Sequence, residues 1–181
     1  MSWANVKFAT KEGGEWLKLE AGGNVIRIVS EPEDRGKHFI NAEKKGYACL
    51  ASECFWCAQG EPIKIGFLFH VIDRKDGKMK LAEFGSTIVE QLKNFKDDAE
   101  WAWDGAVMPY NVKIKKDGAG LDTVYSVIAS PTRTELTAGE KAGVEKLKPL
   151  AEIKAALKKT GKPMPTKVVE EEGIPLDSIP F

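Results

Sequence analysis

Gly66-Phe67-Leu68-Phe69-His70-Val71-Ile72-Asp73-Arg74-Lys75-Asp76-Gly77-Lys78-Met79-Lys80-Leu81-Ala82-Glu83-Phe84 carries the strongest structural signal in the chain. Residues 66–72 are rich in aromatic and β-branched side chains, the make-up of a strand. Asp73 to Gly77 then supplies a turn, with Asp76-Gly77 suited to the positive φ that tight hairpins need. Lys78 to Phe84 returns as the partner strand, placing Lys78 and Lys80 on one face. The reading is an antiparallel hairpin, and it predicts a β fold.

Upstream, Trp16-Leu17-Lys18-Leu19 and Val25-Ile26-Arg27-Ile28-Val29 read as two strands around an Ala21-Gly22-Gly23-Asn24 turn. In the second, Val25, Arg27 and Val29 share one face, while Ile26 and Ile28 point the other way. Downstream, Thr87 and Glu90 have capping-box spacing, and Ile88, Leu92 and Phe95 predict a helix ending near Lys96. A loop with Trp101 and Trp103 follows. A second hairpin pairs Tyr110–Lys115 with Thr123–Ile128 across Asp117-Gly118-Ala119-Gly120. Past Pro131, Thr137 and Glu140 repeat the capping-box spacing. Val144, Leu147, Leu150, Ile153 and Leu157 give helical periodicity, and Pro149 predicts a kink or two consecutive helices.

The expected fold class is mainly β: a small, partly open barrel of the oligonucleotide-binding (OB) type, with one helix between strands. A small mixed sheet fits the same pattern. The expected organisation is a flexible arm over 1–15, a barrel over 16–135 with a metal-binding insertion near 31–62, a helical segment over 136–160, and a disordered acidic tail over 161–181.

Bulk composition narrows the function classes. The chain has 181 residues, 43% hydrophobic and 30% charged, which suits one cored domain with an appendage. Met1 to Trp16 has no apolar signal-like core and no run would span a bilayer, so a cytoplasmic setting and no membrane partner are expected. The net charge is zero, yet residues 168–181 carry four acids and no bases, so the preceding residues carry +4. A basic body with an acidic tail hints at a polyanion binder. No Ser/His/Asp set, phosphate-cradling glycine loop or open metal site is visible, so no enzymatic activity is expected.

The three cysteines and one histidine form His38-x10-Cys49-x4-Cys54-x2-Cys57. Thiolates and imidazole in a four-member set favour tetrahedral zinc, and a closed set is structural because no coordination position is left for substrate. The segment from 31 to 62 has no sustained hydrophobic period, so a metal would supply its folding energy. The competing reading is that Cys49 is simply buried and Cys54 and Cys57 flank a turn. His70 is a rival ligand, although its place in mid-strand favours an ordinary sheet role.

Single-strand binders need cations for phosphates and rings for base stacking. Trp16, Lys18, Arg27, Arg74, Lys75, Lys78, Tyr110, Lys113 and Lys115 are the candidate contacts. Against this, alternating Lys on a strand is commonly a solvated face, and many rings of a small barrel belong to its core. Asp177, Ile179, Pro180 and Phe181, in an acidic and then apolar stretch, are the candidate partner-binding tip.

These stretches carry two resemblances. The Ile179-Pro180-Phe181 stretch resembles the tips of bacterial single-stranded DNA-binding proteins, which recruit replication and repair enzymes. Where those tips usually hold consecutive acids, this chain has Asp177-Ser178. The segments Trp16–Pro32, Val71–Lys78 and Gly118–Tyr125 resemble the single-stranded DNA-binding proteins of tailed phages. That resemblance implies an OB barrel, sequence-independent coating of single-stranded DNA in replication, recombination or repair, and action in a bacterial cytoplasm. It also implies zinc on His38, Cys49, Cys54 and Cys57, since some members bind it with one His and three Cys in that order. The rival function is a zinc-containing adaptor that does not bind nucleic acid.

Overall fold

The computed structural model describes residues 15–164. Seven strands form one antiparallel sheet: β1 Gly22–Ile28, β2 Glu33–Ile40, β3 Lys45–Ala48, β4 Lys64–Asp73, β5 Met79–Gly85, β6 Tyr110–Asp117 and β7 Val124–Arg133. Four helices accompany them: α1 Phe55–Ala58, α2 Ser86–Asp97, α3 Ala138–Glu145 and α4 Leu150–Lys158. The mainly β expectation therefore holds.

Both expected hairpins form. Gly66 pairs with Gly85 through to Ile72 with Met79, and Lys113 pairs with Ile128. Strand β1 joins the two, pairing with β4 at Ile26–Ile28 and with β6 at Gly22–Ile26. These pairings, with α2 inserted before β6, are those of a partly open five-stranded barrel. Strands β5 and β7 do not pair with each other; α2 lies against both. Ile88 and Leu92 carry that helix into the interior, where they meet Ile26, Ile28, Phe69, Phe84, Val112 and Ile114.

Two local expectations are corrected. Residues Trp16–Leu19 are not a strand: Trp16 makes one parallel bridge to Leu81, and Leu17 N–H donates to Leu81 O at 2.8 Å. The first strand begins instead at Gly22, inside the expected turn, because the Gly22–Ile26 backbone finds a full ladder on β6. Residues 31–62 also hold two strands that hydrophobic pattern did not reveal. Strand β2 is polar because its ladder partner is the free edge of β4, with Glu33 opposite Leu68 and Lys37 opposite Lys64. Pairing, not side-chain alternation, places it there.

The C-terminal helices cover part of the outer face of the sheet. Leu150 and Ile153 of α4 pack on Leu68 and Leu81, beside Trp16. Val144 and Leu147 pack with Leu136 on Val29 and Ile72. Pro149 separates two helices, standing at the start of α4. His70 Nε2 lies 2.9 Å from Lys148 O, so that ring is engaged in holding the connection between the helices.

Two expected DNA contacts lie in the interior. Arg27 is 1% exposed, with Nη1 donating to Thr134 Oγ1 at 2.9 Å and Nη2 to the Thr134 carbonyl. Burial, with repulsion from Arg74, lowers its pKa despite the attraction of Glu140. Tyr110 is fully buried against Trp101 and Trp103, its hydroxyl donating to Trp101 O at 2.7 Å. The alternation that put Arg27 on the outer face was right. The segment after β7 covers that face.

Arg27→Ala is expected to lower the unfolding free energy by about 2–4 kcal/mol, through a cavity and a lost anchor for Thr134. A urea-denaturation midpoint equal to that of the unaltered chain would refute the structural role.

Candidate functional site

The four candidate metal ligands converge. His38 lies in β2, Cys49 just past β3, Cys54 immediately before α1 and Cys57 within it. Their ligand atoms all fall within 4.8 Å of one another. Cys54 Sγ and Cys57 Sγ are 3.5 and 3.4 Å from His38 Nε2, and Cys49 Sγ is 3.5 Å from Cys57 Sγ. A tetrahedral ion with ordinary thiolate and imidazole bond lengths would hold its sulfurs about 3.8 Å apart, and nitrogen about 3.5 Å from sulfur. The donor set therefore fits a metal ion, and these residues could bind one.

The surroundings support the same geometry. His38 Nδ1 is 3.1 Å from Pro62 O. A carbonyl only accepts, so Nδ1 carries the proton and Nε2 turns a lone pair toward the sulfurs. At Gly36 a Cβ would lie 3.2 Å from Cys49 Cβ, so a side chain there would crowd that ligand. Burial alone would raise the Cys54 thiol, but backbone hydrogen bonds at Leu50, Cys57 and Trp56 outweigh it and bring the pKa to about 6. Cys57 is pushed up to about 12 by burial, then by hydrogen bonding and repulsion from Cys49 and Cys54. Three thiolates so close together need a cation to ionise jointly. The buried core of this clip is only Ile40, Cys54 and Trp56, too few apolar groups to hold it alone.

The clip also grips the segment that follows α4. Phe55 N–H donates to Lys162 O at 3.0 Å, Met164 N–H donates to Glu53 O at 3.0 Å, and Cys54 bridges Pro163. Lys162 Nζ sits 4.2 Å from the Phe55 ring centroid and 4.9 Å from that of Trp56. Neither Pro62 nor Lys162 carries a signal in sequence, because one acts through its carbonyl and the other through a contact 106 positions or more away.

Of the remaining DNA candidates, Trp16, Lys18, Arg74 and Lys75 line one cleft of about 1110 Å³, together with Gly23 and Val25. Glu15, Glu20, Asp73 and Asp76 line it too. Lys75 pairs with Glu20 at 2.8 Å, Lys78 with Glu15 at 3.5 Å, and Arg74 with Glu140. Lys80 is clamped by Asp73 and Asp76 at 2.7 and 2.8 Å, and those hydrogen bonds raise its pKa.

Beside the cleft, the outer face of β1, β6 and β7 is exposed at Val25, Lys113, Lys115 and Ile128, whereas Arg27 farther along β1 lies under the segment after β7. Val25, Lys113 and Ile128 stand in one cross-strand row, and Gly23, Lys115 and Ser126 in the next. Val25 is 39% and Ile128 52% exposed. A Cβ at Gly23 would come 2.1 Å from Lys113 Cε, so the glycine gives that side chain its place. Lys115 pairs with Asp117 at 3.0 Å, whereas Lys113 has no carboxylate at ion-pair distance among the described residues. The tip residues Asp177, Ile179, Pro180 and Phe181 lie outside the described residues.

Chelation is expected to loosen the clip and the strap together. Amide hydrogen exchange at Phe55 and Met164 should rise in parallel after treatment with a metal chelator, while the barrel amides of β6 stay protected. Exchange unchanged at both sites would mean that no metal holds the clip.

Among known proteins, the chain is similar to a probable ssDNA-binding protein of Escherichia phage T5, with 24% identity over 154 residues. The match covers 70% of this chain and 59% of that protein. The chain thus spans about three fifths of the length of the curated relative it matches. No family model and no solved structure matches the chain.

Proposed function

We propose that this protein binds single-stranded DNA without sequence preference, as a coating protein with no catalytic step. The observation that carries this reading is the exposed row on the β1–β6–β7 face, where Lys113, with no carboxylate at ion-pair distance among the described residues, stands between exposed Val25 and Ile128. A phosphate can pair with such a cation while an unpaired base rests on the apolar side chains beside it. A duplex keeps its bases stacked inside and offers only its phosphates. Binding the single strand alone lowers duplex stability by mass action, without ATP. Similarity to the phage T5 protein supports the same reading.

The neighbouring cleft extends the surface. Lys18 has no carboxylate partner among the described residues, and the exposed Lys75–Glu20 pair is weak enough for a phosphate to replace. The metal we assign to the clip is zinc, on the chemistry of one imidazole and three thiolates. It would be structural, because four protein ligands complete its coordination. Replication and recombination are the processes such coating serves, and Asp177 to Phe181 is the segment we assign to recruiting their proteins.

Fluorescence anisotropy with labelled oligo-dT and a matched duplex tests the reading. Salt-sensitive binding to the single strand, with little to the duplex, is expected. Lys113→Ala should weaken it and reduce the slope of log affinity against log salt by about 0.7. Glu20→Gln should strengthen binding at low salt by freeing Lys75. Equal affinity of the unaltered chain for strand and duplex, or none for either, would overturn the proposal.

A further inference from the structure

Phe39 is the one aromatic side chain among the described residues that lies exposed; every other ring there is buried or half-buried. It is 46% exposed, although it belongs to a strand paired on both sides of its neighbourhood. Its cross-strand partner on β3 is the exposed Gly46, while Ala48, opposite Lys37, is buried. The ring therefore faces a glycine across the strand pair, with no side chain opposite to cover it.

Cations flank it on the same face. Arg35, Lys37 and Phe39 alternate along β2, so Lys37 lies about 6.6 Å from Phe39 along the strand. Lys64 stands directly opposite Lys37 on β4. Arg35 and Lys37 share a single carboxylate, Glu83, at 3.2 and 2.7 Å. Lys64 has no carboxylate at ion-pair distance among the described residues. Three cations and one acid leave this face with a local charge of +2 around a bare ring. A single exposed aromatic needs no explanation by itself. A lone ring opposite a glycine, bordered by surplus cations, matches an unpaired base with its phosphates.

From this arrangement we infer that Phe39 is a stacking platform for an unpaired nucleobase, with Lys37 and Lys64 contacting the adjoining phosphates. The metal clip is then a second contact for the strand, separate from the β1–β6–β7 face, with α4 packed on the sheet between them. The inference rests on the single-strand reading above and adds a site to it. It also assigns the clip a purpose: holding β2 and β3 rigid so that Phe39 remains outward.

The test compares Phe39→Ala, Phe39→Trp and Lys64→Ala in the full chain, with metal content and circular dichroism confirming folding. Each is titrated with oligo-dT and with an abasic oligonucleotide of the same length. Phe39→Ala is expected to weaken oligo-dT binding roughly fivefold to hundredfold, leaving the abasic strand and the salt slope unchanged. Phe39→Trp should restore binding, and Lys64→Ala should cut the salt slope by about 0.7. Undiminished oligo-dT binding by Phe39→Ala, while Lys113→Ala still weakens it, would overturn this site and leave the wider reading standing. Equal losses on both oligonucleotides would also overturn stacking. Failure of the unaltered chain to bind either oligonucleotide would instead remove the single-strand reading.

Discussion

Strand β4 presents two edges of backbone N–H and C=O groups over ten residues, and from Leu68 to Asp73 both must be satisfied because that part of the strand is buried. One edge is filled by β5 through a single hairpin. The other is divided between β1 at Val71–Asp73 and β2 at Lys64–Leu68, with Val29–Pro32 spanning the gap. That division is the constraint from which the rest follows. It continues the sheet beyond the barrel, carries His38 outward, and brings the end of β3 back toward α1.

The extension has little apolar burial of its own, with Ile40, Cys54 and Trp56 buried and Tyr47, Leu50 and Phe55 partly buried against them. The donor atoms there are spaced for a tetrahedral ion, which would supply what packing lacks. The clip in turn holds the strap after α4 through Phe55, Glu53 and Lys162. Helix α4 is thus fixed at one end by the Leu68 and Leu81 contacts and at the other by the clip. Part of the outer sheet face is closed by this arrangement, and the β1–β6–β7 part is left open.

Charge pairing decides which cations are available to a polyanion. Lysines 75, 78, 80 and 115 all have acidic neighbours, and Lys80 is held by two at once. Lys113 and Lys64 differ in that neither has a carboxylate at ion-pair distance among the described residues. Exposed pairs contribute little to stability and yield to a competing phosphate. The partly buried Lys80 cluster instead fixes the hairpin turn through Asp73 and Asp76.

Local chemistry determined a good deal of this protein. The two hairpins, helix α2, the break at Pro149 and the four-ligand set were legible because each depends on neighbours in sequence: a turn pair, a helical apolar spacing, a proline, a cysteine spacing. The expected Thr87–Glu90 capping box does not form, since α2 starts at Ser86 with Gly85 as its N-cap and no side-chain hydrogen bond there. Placement of the DNA candidates was not legible in the same way. Arg27 and Tyr110 alternate correctly along their strands, yet the first is sealed by Thr134 and the second by Trp101 and Trp103. Strand β2 was invisible because its stability comes from the edge of β4 and not from its own apolar pattern. Phe39 could not be distinguished from a core ring until Gly46 was seen to lie opposite. Hydrogen-bond register and side-chain coverage are set by residues tens of positions apart, so only the tertiary structure decided which faces remain open.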